Sequence, residues 1–135
     1  MPGFNTMQIQ LESTSDASIH SYTETSVTAN NITYTSNVLM MNAHIIPHWE
    51  PADMATINLA HLAPILQLHP KTILIGHTNK NQFPSPTLIK ELADSGIGIE
   101  SMSIGAACRT YNLLLNEGRE VALGLIFFKP SPSVY

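Results

Sequence analysis

The feature that most constrains this chain is a change of hydrophobic period that begins near residue 59 and alternates from there on. Thr72-Ile73-Leu74-Ile75-Gly76 is a short apolar, β-branched run ending at glycine, the pattern of a strand buried on both faces. Ser85-Pro86 then offers a helix cap followed by a residue pre-set for the first helical turn. Leu88, Ile89 and Leu92 recur at helical spacing, and Gly96 is a natural stop. Ile97–Met102 reads as the next strand. Gly105–Glu117 reads as the next helix, halted by Gly118, and Glu120–Phe128 as a last strand ended by Pro130. Upstream, Leu59, Leu62, Ala63 and Leu66 predict another short helix, with Pro64 expected in its first turn because an interior proline breaks the ladder. Strands and helices alternating in this way predict βαβ units on a sheet that is at least partly parallel.

The first 46 or so residues have a different texture, rich in Ser, Thr and Asn and alternating polar with apolar. Ile19–Thr23, Val27-Thr28-Ala29 and Ile32-Thr33-Tyr34 read as short antiparallel strands. Asn30-Asn31 is a tight turn between two of them, since Asn tolerates positive φ. Val38-Leu39-Met40-Met41 is apolar throughout and suits a strand buried on both sides. Trp49 follows in an irregular connection bracketed by Pro47 and Pro51. No repeat or low-complexity linker divides the 135 residues, so 1–135 is read as a single domain. The expected fold is α/β, with a central mixed, mostly parallel sheet and an additional N-terminal β-rich portion.

Charge narrows the classes of function. The net charge is −4 and the 6 basic residues are scattered, so the electrostatic footprint that nucleic acid or an acidic membrane surface requires is missing. Val121–Phe128 is too short to span a bilayer. Met1–Leu11 carries neither a basic start nor a continuous apolar run, unlike a signal peptide, and an Arg-rich transit sequence is also missing. A cytoplasmic location is the resulting expectation.

The residues that could carry chemistry are few. Of six histidines, His44 and His48 alone have helical i, i+4 spacing, with Pro47 between them and an extended-looking Ile45-Ile46 beside them. No carboxylate completes a three-ligand set, so no metal is expected. The chain has no nucleophile elbow and no phosphate-binding glycine motif. Gly96-Ile97-Gly98 precedes a strand, whereas the dinucleotide fingerprint follows one. No catalytic residue and no cofactor is assigned. One constellation does stand out. If the strands ending at Gly76 and Met102 are parallel, His77-Thr78-Asn79 and Ser103-Ile104-Gly105 reach the same sheet edge, where open α/β sheets bind ligands. The amides of Gly105, Ala106 and Ala107 would open the following helix and could hold an anion. Cys108 falls in its first turn beside Arg109, where a thiol's pKa can be lowered. Alternatively Cys108 is a small buried hydrophobe and Arg109 pairs with a carboxylate such as Glu100. The candidate ligand- or anion-binding set is therefore Gly76, His77, Gly105, Ala106, Cys108 and Arg109. A helical wheel puts Ala107, Tyr111, Leu114 and Leu115 on the buried face, with Arg109, Asn112 and Asn116 opposite.

Gly98–Met102, Gly105-Ala106-Ala107-Cys108-Arg109-Thr110-Tyr111-Asn112 and Leu114–Arg119 together resemble a family of small domains. That family includes the mitochondrial complex I assembly factor and the adipogenesis-associated protein. Thr72–Pro86, Tyr34–Leu39 and Trp49 extend the resemblance over nearly the whole chain, with departures at His77-Thr78 and Ser103-Ile104. The resemblance implies a three-layer α/β fold whose mixed sheet has one strand antiparallel to the rest, a role assigned to Glu120–Phe128. It also implies protein binding in the assembly of a respiratory complex, without established catalysis; the missing transit sequence points to a bacterial cytosolic member. The expectation is a non-enzymatic interaction factor with an exposed apolar patch near Trp49 or Phe127-Phe128, with self-association left open. The rival is a small-ligand or anion-binding domain, conceivably a thiol-dependent enzyme, at the start of the Gly105 helix.

Overall fold

The computed structural model describes residues 18–79 and 82–127. Met1–Leu11, Phe128 and Pro130 lie outside the described residues. Among the described residues three short strands come first, Ile19–Tyr22 (β1), Val27–Ala29 (β2) and Ile32–Tyr34 (β3), paired antiparallel in the order β1-β2-β3. Asn30 and Asn31 join the last two at φ of 52° and 64°, the left-handed pair that matches the twist of a two-residue hairpin. Val38–Met41 (β4) and His44–Pro47 (β5) form a second hairpin. After a single 3₁₀ turn at Met54–Thr56 the chain alternates as Leu59–Leu66 (α1), Thr72–His77 (β6), Pro86–Asp94 (α2), Gly98–Ser103 (β7), Ile104–Asn116 (α3) and Val121–Leu125 (β8).

The second sheet has five strands in the order β5-β4-β8-β6-β7. β6 is parallel to both β7 and β8, whereas β4 is antiparallel to β8 and β5. Four strands therefore point one way and β4 alone runs against them. The reversed strand is Val38–Met41, not the Glu120–Phe128 segment expected in that role. The reason lies in α3, which supplies the whole crossover. A helix returning over the sheet delivers the next strand in the direction of the previous one. The Gly118-Arg119 link has only to turn, which it does with Arg119 N–H bonded to the Leu114 carbonyl at 2.9 Å.

Side chains leave the sheet to two separate cores. Val38, Met40, Leu74 and Leu123 point to one face, under α3 and the three-stranded sheet. Leu39, Met41, Ile73 and Ile75 point to the other, under α1, α2 and the 3₁₀ turn. The result is three layers, and it explains why Val38–Met41 and Val121–Leu125 are apolar without alternation.

Two local expectations are corrected. Pro64 lies in the second turn of α1, not the first. It is tolerated because the helix is short and Ala60, whose carbonyl would have received the missing N–H, is solvent-exposed. Asn112 does not face solvent either. Its Oδ1 accepts the Ile19 amide at 2.8 Å and its Nδ2 donates to the Ile19 carbonyl at 2.9 Å, clasping β1 as another strand would.

Candidate functional site

Parallel pairing of β6 and β7 places His77 opposite Ser103 at the carboxyl ends of both strands. The loop after β6 and the start of α3 therefore meet at one edge of the sheet. Ser103 caps α3, its Oγ accepting the Ala106 amide at 3.2 Å. Between these segments, the β1–β2 turn and Gln82-Phe83 lies a cleft of about 540 Å³. Its walls come from His77, Thr78, Ser101, Met102, Ile104 and Gly105, with Tyr22, Glu24 and Phe83 at the mouth. His77 also borders a smaller recess of about 160 Å³, lined among others by Asp53, Met54 and Ile126.

The candidate residues divide sharply. His77 and Gly105 line the cleft. His77 Nδ1 is buried and has no hydrogen-bond partner among the described residues. Burial pulls its imidazole below the ordinary histidine value, with the Asn79 backbone acting the other way. Gly76 does not line the cleft and serves packing beneath α3. A Cβ there would come within 2.8 Å of Leu125 and 2.9 Å of the Ala107 methyl group, so only glycine lets α3 sit this close to the sheet. The Ala106 amide is already taken by Ser103.

Cys108 is 1% exposed and belongs to the core beneath α3. Burial pushes its thiol up to about 12, against a smaller opposing effect of Arg109. Arg109 is exposed and bonds Tyr22, its Nη1 donating to the phenol oxygen at 2.6 Å; Glu100 is not its partner. Thiol, guanidinium and imidazole do not converge. Tyr111, buried in the same core, has a hydroxyl without a hydrogen-bond partner among the described residues, and burial raises its pKa.

The expected apolar patch is not supplied by Trp49 or Phe127, and Phe128 lies outside the described residues. Trp49 and Phe127 are buried. The Trp49 indole donates to the His61 carbonyl at 2.9 Å, and its ring fills the space a Cβ on Gly124 would need, within 2.6 Å. The Phe127 amide donates to Asn37 Oδ1 at 2.9 Å. Phe83, 68% exposed, takes the place of these residues on the surface, and Tyr22 lies near it at 37%. No local pattern pointed to Tyr22, Glu24 or Gln82, because they reach the cleft from distant parts of the chain. Phe83 does carry a signal, a large aromatic directly before the Pro84-Ser85 lead-in to a helix. Among the described residues, no group of three or more His, Cys, Asp or Glu side chains is placed to hold a metal ion. No helix among them is long and apolar enough to cross a membrane.

A family described as protein of unknown function, DUF498/DUF598, matches residues 19–126, which includes every strand and helix described above. The chain belongs to the DUF498/DUF598 family. Two curated relatives align with it. A 13 kDa major membrane protein of Francisella tularensis is 39% identical over 74 residues, 55% of this chain and 60% of the relative. NADH dehydrogenase [ubiquinone] 1 alpha subcomplex assembly factor 3 of Xenopus tropicalis is 28% identical over 83 residues, 60% of this chain and 45% of the relative. The matches thus span less than two thirds of either relative's length. Among solved structures, a protein of Xanthomonas campestris superposes with a TM-score of 0.75 at 28% identity, covering 96% of this chain and all of that one. A Bordetella pertussis protein described as an Mth938-like domain superposes at 0.70 over 88% of this chain and 91% of its own, at 21% identity, and shows the shared fold. The family likeness seen in the Gly105–Arg119 helix and its flanks is therefore genuine, and the DUF498/DUF598 fold is the three-layer arrangement built here around β4, β6 and β8.

Proposed function

We propose that this protein acts by binding another protein, as a factor in building or stabilising a larger complex, and that the cleft beyond β6 and β7 receives the partner. The observation that carries this reading is Phe83, a large apolar side chain left 68% exposed at the mouth of a cleft of about 540 Å³. Exposed aromatic groups beside a concave surface are typical anchors of protein interfaces. The name of the Xenopus relative, an assembly factor, supports the same reading. The thiol that a thiol-dependent reaction would need lies in the core, away from the cleft.

The test compares proteins captured from native lysate by wild type and by Phe83→Ser. Because Phe83 is exposed, the variant keeps its melting temperature and loses a defined partner that wild type recovers. Identical recovery by both proteins would remove the proposal. A small ligand or anion in the same cleft is the second reading, favoured by the unpartnered His77 Nδ1. That reading predicts amide shifts confined to Ile104, Gly105 and Thr78 when inorganic phosphate is titrated. Cytoplasmic residence completes the proposal. Its check is cell fractionation, and recovery in the membrane pellet, as the name of the Francisella relative would suggest, would count against it.

A further inference from the structure

The Tyr22 ring bounds one side of the cleft mouth and is held there by its tip. Arg109 Nη1 donates to the phenol oxygen at 2.6 Å, the only hydrogen bond that either side chain makes among the described residues. Arg109 has no ion pair among them either. Both side chains lie across Gly105, the second residue of α3. A Cβ on that glycine would stand 3.0 Å from the guanidinium, 3.0 Å from Tyr22 Cε1 and 3.2 Å from the phenol oxygen. Gly105 sits in regular helix, where glycine is a weak choice; here it leaves room for the ring and its latch.

The backbone beneath the ring is fixed. Tyr22 pairs with Val27, which is fully buried. The turn between them is closed by the Thr23 amide bonding the Ser26 carbonyl at 2.9 Å. Within it the Thr23 and Ser26 hydroxyls meet at 2.9 Å, and the Thr25 amide donates to Thr23 Oγ1 at 3.0 Å. At the other end of β1, Asn112 clasps Ile19. The ring is thus a stiff plate on a rigid root, able to turn about its own side-chain torsions and stopped by one exposed bond. A bond of that kind is weak enough to leave the released rotamer as a populated minor state.

We propose that the Tyr22 ring is a gate on the cleft, latched across Gly105 by Arg109 and displaced when the partner enters. This rests on the cleft being the partner's site. Released, the ring uncovers the first turn of α3 and adds the space it filled to the cleft. The freed guanidinium then takes a hydrogen-bond acceptor from the partner in place of the phenol. An occupant that fits only the open form pulls the population toward it. Removing the latch therefore tightens binding, because the occupant no longer waits on a minor state.

The experiment uses the full chain, nuclear magnetic resonance and Nile red, a neutral apolar dye. In wild type the Tyr22 ring protons show cross-relaxation to the Gly105 α protons. Arg109→Ala removes most of that contact. Gly105→Ala removes it too, because its methyl group takes the place of the ring. That variant melts no lower than wild type, since the methyl meets only the ends of two flexible side chains. Both variants bind Nile red about twofold or more tighter than wild type, and adding Phe83→Ser removes the gain. A ring contact that survives Arg109→Ala would overturn the gate, as would a Gly105→Ala variant that melts well below wild type. So would a released ring with no gain in dye binding, or a gain that survives Phe83→Ser. None of these readouts uses the cellular partner, so the gate stands or falls separately from the lysate capture that tests the binding role.

Discussion

Two glycines illustrate how much of this molecule turns on single atoms. At Gly124 a Cβ would stand 2.6 and 2.7 Å from ring carbons of Trp49 and 2.9 Å from Ile75 Cδ1. At Gly76 it would meet Leu125, the Ala107 methyl group and the Ile104 Cα, at 2.8 to 3.2 Å. Neither site needs unusual backbone angles; both need the missing atom. Gly124→Ala and Gly76→Ala should therefore each destabilise by about 1–3 kcal/mol through overpacking, measured by urea unfolding. Gly76→Ala should cost more than Gly124→Ala if a helix backbone yields less readily than an indole. A neutral result at either position would mean that its neighbours relax without strain. Gly76 looked like a ligand-loop glycine because it ends a strand; what the sequence did not contain is that Ile104 and Ala107 descend onto it from a helix some thirty residues later.

At the scale of elements, α3 holds the molecule together on one face. Its inner stripe of Ile104, Ala107, Cys108 and Tyr111 packs on the sheet, and its side carries Asn112 and Arg109 to β1. Replacing Asn112 by Ala leaves the part-buried amide and carbonyl of Ile19 without partners, a loss of about 1–3 kcal/mol. The expected effect is local: hydrogen exchange should quicken in β1 and at the Tyr22 side of the cleft, while α3 and β6 keep their protection. Uniform acceleration throughout the chain would show that β1 is not separately held. The helical period correctly located α3, its buried stripe and its glycine stop. It wrongly sent Asn112 to solvent, because a wheel assigns polar side chains outward and cannot register that a strand's backbone requires a donor and an acceptor there.

At the scale of the whole molecule, two cores lie on opposite faces of one sheet and share its central strands. β8 sends Val121, Leu123 and Leu125 to one core and Ala122 to the other, while its backbone pairs with both β4 and β6. Neither core can dissolve without releasing the strand that supports the other, so unfolding should be a single cooperative transition. Each face has its own reporter: Trp49, the chain's one tryptophan, in the α1–α2 core, and Cys108 in the α3 core. Tryptophan fluorescence and the alkylation of Cys108 in urea should give coincident midpoints, with alkylation in buffer limited by global opening because the thiol is 1% exposed and its pKa is pushed up to about 12. Separate midpoints would show two independently melting halves.

Amino-acid order alone determined the local program: where period two gives way to period 3.6, where Asn30-Asn31 turns and where glycine stops α2 and α3. These follow from near-neighbour sterics and from burial of one stripe or two, which short stretches of chain encode by themselves. Tertiary structure decided which strand would run against the others, that Trp49 and Phe127 would be covered while Phe83 stayed exposed, and that His77 and Gly105 would share a cleft from which Cys108 is excluded. Each of those outcomes depends on contacts between residues far apart in sequence, and such contacts are selected by how two finished surfaces fit, a property that no single segment carries.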